Sequence, residues 1–277
     1  MIGAHSGPVS ASSASSLPNS GVGLASGVPG AIGLNFDALD LAVLELEPVA
    51  GRPFPPPLPV ARGDDPETLG VPRFWFNRTD GQKVTKSIEG FLFPDTYEFQ
   101  PQATATQMLE TMVEHFMKVS KQLDFVNKAQ EQRNISPYEV LTVASLSQAE
   151  AGNADDLGKI SRVAYNRLYG STPMPLEYDV GINYYYQLTG KPTKPSSKMT
   201  DAELQDPKNP YRLHGKNGLT PTPINNPGRA ALEGALNPPK GNWLFFVAID
   251  KQGHSAFAAT NAEHERNIAI AKKNGVL

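Results

Sequence analysis

The chain has 277 residues, a net charge of −3 and 39% hydrophobic residues, which allows one large domain or two small ones. The charge balance offers no clustered basic surface for nucleic acid, and the lack of cysteine excludes disulfides, thiolate catalysis and cysteine-type zinc sites. No run approaches the roughly 18 apolar residues of a membrane span, and no basic stretch with an apolar core opens the chain, so neither a span nor a signal peptide is visible.

Residues 1–33 are Ser, Gly, Ala and Pro with almost no charge, as in the SASSASS run at 10–16. Such a tract buries too little apolar area to offset the entropy of ordering it, and it reads as disordered. Residues 34–88 form a Pro-rich connector and a small partial subdomain. Asn35 to Glu47 suits a short helix or a strand, and the five prolines of Pro53 to Pro59 force an extended connector. A turn-rich layer follows through Trp75 and the Asp80-Gly81 turn signal.

Residues 89–277 form the main domain. Glu89 to Tyr97 reads as a strand stopped by Pro94-Asp95. Thr104-Ala-Thr-Gln107 is a capping box opening a long amphipathic helix with Met108, Met112, Phe116 and Val119 on its apolar stripe. Ser136-Pro137-Tyr138-Glu139 is a second capping box, whose helix runs to Gly152, a C′ glycine by position. Asn153 caps another helix, with Leu157, Ile160, Ala164 and Leu168 on one stripe and Gly170 at its end. Residues 171–225 are loop-rich. Gly228 to Leu236 forms a short helix, Trp243–Ile249 and His254–Ala258 form a hairpin, and Thr260-Asn-Ala-Glu263 caps a terminal helix. No internal repeat is present. The order of elements predicts an α+β domain, helical and loop-rich with a small hairpin sheet.

Glu150 is the most informative candidate for chemistry. It stands at the last turn of an apolar, small-residue helix, where the helix dipole and burial would both raise its pKa and suit it to general-acid work. The alternative is a surface glutamate tolerated at a helix end. The five histidines show no metal-ligand spacing, and no G-x-S-x-G elbow occurs. The tyrosines at 178, 184–186 and 211 either line a sugar-binding groove or pack the core.

Several ordered motifs then point one way. Glu89-Gly-Phe-Leu-Phe-Pro-Asp-Thr-Tyr-Glu98 is similar to EGFLFPDTYE, Ala144-Ser-Leu-Ser-Gln-Ala-Glu150 to A-S-I-V-x-x-E, and Val163-Ala-Tyr-Asn-Arg-Leu168 to V-x-x-N-R-L. Met174-Pro-Leu-Glu-Tyr-Asp179 resembles M-P-L-Q-S-D, and Gly218 to Gly228 resembles G-L-P-P-x-P-I-x-N-P-G. These are motifs of the YceG-like endolytic murein transglycosylases, and the resemblance covers about residues 89–270. It implies cleavage of the MurNAc–GlcNAc β-1,4 bond of nascent peptidoglycan strands, leaving 1,6-anhydro-MurNAc ends, with Glu150 as the single acid and base. A lone carboxylate suffices if the sugar's own 6-hydroxyl attacks, where ordinary glycosidases need two carboxylates.

The resemblance further implies that Gln148, Asn166, Asp179, Tyr211 and Asn225 bind glycan or support the site. It implies no cofactor and no metal, peptidoglycan strands as substrate, cell-wall synthases as partners, and a place in the cell envelope at the outer face of the cytoplasmic membrane. Departures are visible. Gln148 stands where many relatives have a second glutamate, and Tyr211-Arg-Leu-His214 where many have Y-N-T-Y. The membrane anchor and LysM-like module usual in the family are not recognisable, which suggests a fragment, a mis-started frame or a truncated paralogue. A catalytically idle glycan-binding or scaffold remnant is the rival reading, and a hydrolase using water is a third.

Overall fold

The computed structural model describes residues 32–34, 65–100 and 102–277. Most of the 1–33 tract, the Asn35–Glu47 segment and the Pro53–Pro59 connector lie outside the described residues. The first strands, β1 (Ile32–Leu34) and β2 (Tyr97–Phe99), pair antiparallel with Ile32 opposite Phe99.

Helix α1 (Ala105–Leu123) begins at the expected capping box: the Gln107 N–H donates to Thr104 Oγ1, and the Thr104 N–H to Gln107 Oε1. Its stripe of Met108, Met112, Phe116 and Val119 is buried. Asp124 takes a left-handed turn into the short α2 (Phe125–Lys128), and a π-helical turn over Ala129–Arg133 leads on to α3 (Pro137–Glu150). Helix α3 is buried on every side, which makes it the central rod of the domain. Its Ser136–Glu139 capping box is formed. Glu139 does more than cap: its Oε2 also accepts from the backbone N–H and hydroxyl of Thr79, 60 residues upstream.

Helices α4 (Leu157–Tyr169), α5 (Val180–Leu188), α6 (Asp201–Leu204) and α7 (Arg229–Leu236) follow. Strands β3 (Phe245–Ala248) and β4 (Ser255–Ala258) form the expected hairpin, with Phe245 opposite Ala258. Helix α8 (Asn261–Lys273) starts at the Thr260–Glu263 capping box and covers the hairpin through Ile268 and Ala271 against Val247. The architecture is α+β. Helices α3, α4 and α7 pack on one another, and no helix among the described residues is long and apolar enough to cross a membrane.

Residues 65–88 share the main core. Trp75 is buried against Phe91, Phe116 and Phe125, with ring centroids 5.3–5.7 Å apart. Arg78 donates to the Thr220 carbonyl at 2.7 Å and pairs with Asp80.

Three expectations need correction. Residues 89–96 are not a strand, since the extended pairing starts at Tyr97. Phe91, Leu92 and Phe93 are all buried, so the run lacks the alternation of a one-faced strand. The amides of Gly90 and Leu92 instead donate to the Asn226 side chain, at 2.8 and 3.0 Å. Gly152 is not a left-handed helix cap, because its φ is not positive. Glycine is needed there for close approach: a Cβ would fall 2.8 Å from the Gly253 carbonyl oxygen. The loop-rich region 171–225 contains two helices, α5 and α6, the second opened by a Thr200–Glu203 capping box.

Another glycine contact sets the α4–α7 crossing. A Cβ on Gly234 would lie 3.0 Å from the Gly158 nitrogen and 3.1 Å from its Cα. Alanine ordinarily stabilises a helix over glycine by about 1 kcal/mol. Here it would meet backbone that cannot rotate away, so Gly234→Ala should instead cost about 1–3 kcal/mol. A lowered urea midpoint with unchanged slope is the expected observation, and a raised midpoint would show that the two helices can separate freely.

Candidate active site

The site is built around the end of α3. One turn before Glu150, Ser147 and Ser161 share a hydrogen bond at 2.8 Å that ties α3 to α4. Beyond Glu150 the chain leaves the helix through Ala151 and Gly152, and Gly152 presses against Gly253 in the hairpin turn. Asn153 caps the following turn by accepting from the Asp155 N–H, and the buried Asp156 accepts from the Ser255 N–H at 2.7 Å. The α3–α4 connection is therefore held by β4 and its turn. Glu150 is 4% exposed.

The 174–179 loop forms the next wall. Its backbone wraps the Arg167 side chain, which donates to the carbonyls of Pro175 and Leu176 and pairs with Glu177 at 3.0 Å. Arg167 also donates to the Leu244 carbonyl at 2.6 Å, joining α4 to the hairpin. Tyr178 on this loop is buried, its ring edge-on to Phe246. Burial first, and then the charge of Glu150, push the Tyr178 hydroxyl far above its ordinary pKa, while Arg167 pulls the other way. The neighbouring Asp179 is buried and contacts His214, with Oδ1 2.7 Å from Nε2, while its Oδ2 has no hydrogen-bond partner among the described residues.

The remaining expected site residues divide clearly. Gln148 lies two residues from Glu150, roughly 200° around the helix, and its Oε1 accepts from the Gly228 N–H at 3.3 Å. Asn166 donates to the carbonyls of Gly241 and Trp243, so it braces α4 against the segment before β3. Tyr211 is buried, with its hydroxyl 3.2 Å from Thr222 Oγ1 and its ring edge-on to Tyr184. Asn225 is buried, and its Oδ1 has no hydrogen-bond partner among the described residues. Of these residues, Asp179 is the one that meets His214. Gln148 and Asn166 are committed to loops that fix the frame.

Sequence reasoning missed Asn226, the hub of the whole arrangement. Its Oδ1 accepts from Gly90 and Leu92, and its Nδ2 donates to Glu89 at 2.9 Å. One side chain therefore stitches the 89–98 motif to the 218–228 motif. Nearby, the Ile224 N–H donates to Ser145 Oγ and seats the same loop on α3. An asparagine inside the proline-rich 218–228 motif was the available signal.

The family model of the YceG-like family matches residues 40–270. The chain belongs to the YceG-like family. It is 31% identical over 183 residues to the endolytic murein transglycosylase of Streptococcus pneumoniae strain R6, covering 66% of this chain and 32% of that protein. It is 34% identical over 191 residues to the endolytic murein transglycosylase of Bacillus subtilis strain 168, covering 69% and 49%. The crystal structure of a yceG-like protein from Listeria monocytogenes superposes with a TM-score of 0.57 at 30% identity, covering 72% of this chain and 60% of that one. The chain spans about a third to a half of the length of the curated relatives it matches.

In this YceG-like chain the tyrosines named from the sequence pack on the core, Tyr184 and Tyr185 included. Tyr178, Tyr186 and Tyr211 are buried packing residues, whereas Tyr184 and Tyr185 are partly exposed. No cluster of three or more His, Asp or Glu residues suited to a metal occurs among the described residues.

His264 marks the far wall. It is buried, stacks on Phe245 at 5.2 Å, and Arg167 covers the same Phe245 ring. Burial is the main cause that holds its pKa below the ordinary 6.5; Arg167 acts the same way, and Glu265 and Glu177 oppose. A histidine kept neutral in the fold takes up fewer protons than in the unfolded chain once pH falls below about 6.5. Its contribution is therefore intact above that pH and is lost on acidification below it. Unfolding stability should decline between pH 7 and 5, and His264→Phe should flatten that slope. An identical slope in the variant would place the acid sensitivity elsewhere.

Proposed function

We propose that this chain is an endolytic lytic transglycosylase that cleaves the MurNAc–GlcNAc β-1,4 bond of peptidoglycan strands, with Glu150 as acid and then base. The observation that carries the reading is Glu150 itself, a buried carboxyl at the C-terminal end of the central helix. Burial and the partial negative charge of a helix C-terminus both disfavour the carboxylate and favour the protonated acid. Membership of the YceG-like family and the names of the two relatives support the same reaction class.

Glu150 gives its proton to the glycosidic oxygen as the C1–O bond breaks, and the bonding electrons leave with that oxygen. The resulting carboxylate then takes the proton of the sugar's 6-hydroxyl, whose oxygen closes onto C1 to form the 1,6-anhydro ring. The nucleophile is already tethered, so much of the entropic barrier is removed and no second carboxylate is required. Asp179, paired with His214, and Asn225 supply polar groups toward the glycan, while Gln148, Asn166 and Tyr211 hold the walls. The substrate places the protein in the cell envelope, at the outer face of the cytoplasmic membrane, where strand synthesis supplies nascent glycan and the synthases are its natural partners.

Mass spectrometry of uncrosslinked glycan strands incubated with the protein tests this. Internal cuts with 1,6-anhydro ends are expected. Reducing ends would instead mean a hydrolase using water, and bound but uncut strands would mean a glycan-binding scaffold.

A further inference from the structure

We propose that the β3–β4 turn is a positioning element for Glu150, with Gly253 as the residue that fixes where the acid stands. The inference rests on the transglycosylase reading and adds a residue to it.

Glu150 is the last residue of α3, and Ala151 and Gly152 carry the chain out of the helix. The final turn of a helix leaves its carbonyls without intrahelical donors, and it frays unless something outside closes it. The usual closure, a left-handed residue after the cap, is missing, because Gly152 has no positive φ. Contact with Gly253 takes its place. A Cβ on Gly253 would fall 2.2 Å from the Gly152 carbonyl oxygen and 2.6 Å from its carbonyl carbon. Two backbones therefore meet with no side chain between them. The Gly152 Cα is at most about 7 Å from the Glu150 Cα, since only one residue separates them. The Ser255 N–H donates to Asp156 at 2.7 Å, so the exit from α3 is held to the hairpin at two points.

The turn itself is firm. Gly253 has a φ of +83°, which glycine adopts without steric cost, and its N–H donates to the Asp250 carbonyl at 3.2 Å. Asp250 Oδ1 accepts from the His254 N–H at 3.0 Å. Helix α8 braces the end of β3 from behind. Asn274 donates to the Ile249 carbonyl at 2.6 Å, and Ile249 packs on Val247, Ile268 and Ala271. A turn held in this way passes a displacement on to the helix end instead of absorbing it. Gly253 acts through the backbone that carries Glu150, so its effect falls on turnover more than on binding.

The test compares Gly253→Ala with Gly81→Ala. Gly81 also has a positive φ, +74°, but a Cβ there would meet nothing within 4 Å. Both variants carry the strain of a left-handed alanine, and only Gly253→Ala pushes on the end of α3. On uncrosslinked glycan strands, well below its melting temperature, Gly253→Ala should lose about 10²-fold in kcat with KM nearly unchanged, the usual result of misplacing a reacting group by about 1 Å. Gly81→Ala should keep wild-type kcat despite a lowered melting temperature. Amide exchange at Ala151, whose N–H donates to the Ser147 carbonyl at 3.0 Å, should quicken in Gly253→Ala alone. Wild-type kcat in folded Gly253→Ala would overturn the proposal. If that variant does not fold, Asp250→Ala decides. It should lower kcat by about 10-fold, and Asp250→Asn, which keeps an acceptor for the His254 N–H, should restore it. Wild-type kcat in Asp250→Ala would then overturn the proposal. A wild type that forms no anhydro ends overturns the transglycosylase reading and this inference with it, whereas an active wild type beside an unaffected Gly253→Ala overturns this inference alone.

Discussion

Glu150→Gln is expected to lower the rate of 1,6-anhydro end formation by roughly 10²–10⁴-fold, the usual contribution of a positioned acid or base. The loss should lie toward the upper end, because one carboxyl serves both proton transfers and no second carboxylate shares the work. Glutamine keeps the shape of the side chain and, like the protonated acid, is uncharged. It can neither release a proton to the leaving oxygen nor take one from the 6-hydroxyl. Since the site is buried and the replacement is neutral, the fold should persist with a melting temperature within a few degrees of wild type. Retained glycan binding with absent anhydro products is the decisive pattern. Undiminished product would remove Glu150 from the reaction and leave the family resemblance without its central residue.

Asn226→Ala should be among the most destabilising single changes in the chain. Two backbone amides, those of Gly90 and Leu92, donate to the Asn226 oxygen in a buried setting. Removing the acceptor strands both, at about 1–3 kcal/mol each, so a combined loss of about 2–6 kcal/mol is expected. That is a large share of the 5–15 kcal/mol by which domains of this kind are typically stable. Asn226→Asp keeps the acceptor but turns the donor facing Glu89 into a second carboxylate, so its loss should shrink on acidification. Chemical denaturation of the two variants at two pH values checks both statements. A loss below about 0.5 kcal/mol for the alanine variant would mean that the 89–98 segment finds other acceptors.

What the sequence disclosed was mostly local. The boxes at Thr104, Ser136 and Thr260 were legible because each is closed by a partner three residues away. The Thr200–Glu203 box has the same pattern, but it opens a one-turn helix among prolines and lysines, where periodicity has no room to appear. Helix α5 was hidden because its tyrosines suggest strand or groove as readily as helix, and its end is marked only by Thr189 and Gly190. The segment at 89–97 misled for the opposite reason, since aromatic residues and a following proline imitate a buried strand. Glu150 stood out because a carboxylate at the end of an apolar helix is locally odd. The Asp179–His214 contact spans 35 residues, and the Glu139–Thr79 contact 60. Neither is written in any short window.

The Asn226 stitch also bears on how the chain is made. Leu92 leaves the ribosome 134 residues before its side-chain acceptor exists. At about 5–20 residues per second, the interval is roughly 7–27 s. Throughout it Phe91, Leu92 and Phe93, destined for the core, have no finished core to enter. A contact of such long sequence separation raises the contact order of the fold, and the delay favours capture by holdase chaperones or partner chains. The same asparagine that joins the 89–98 and 218–228 segments would then time their docking.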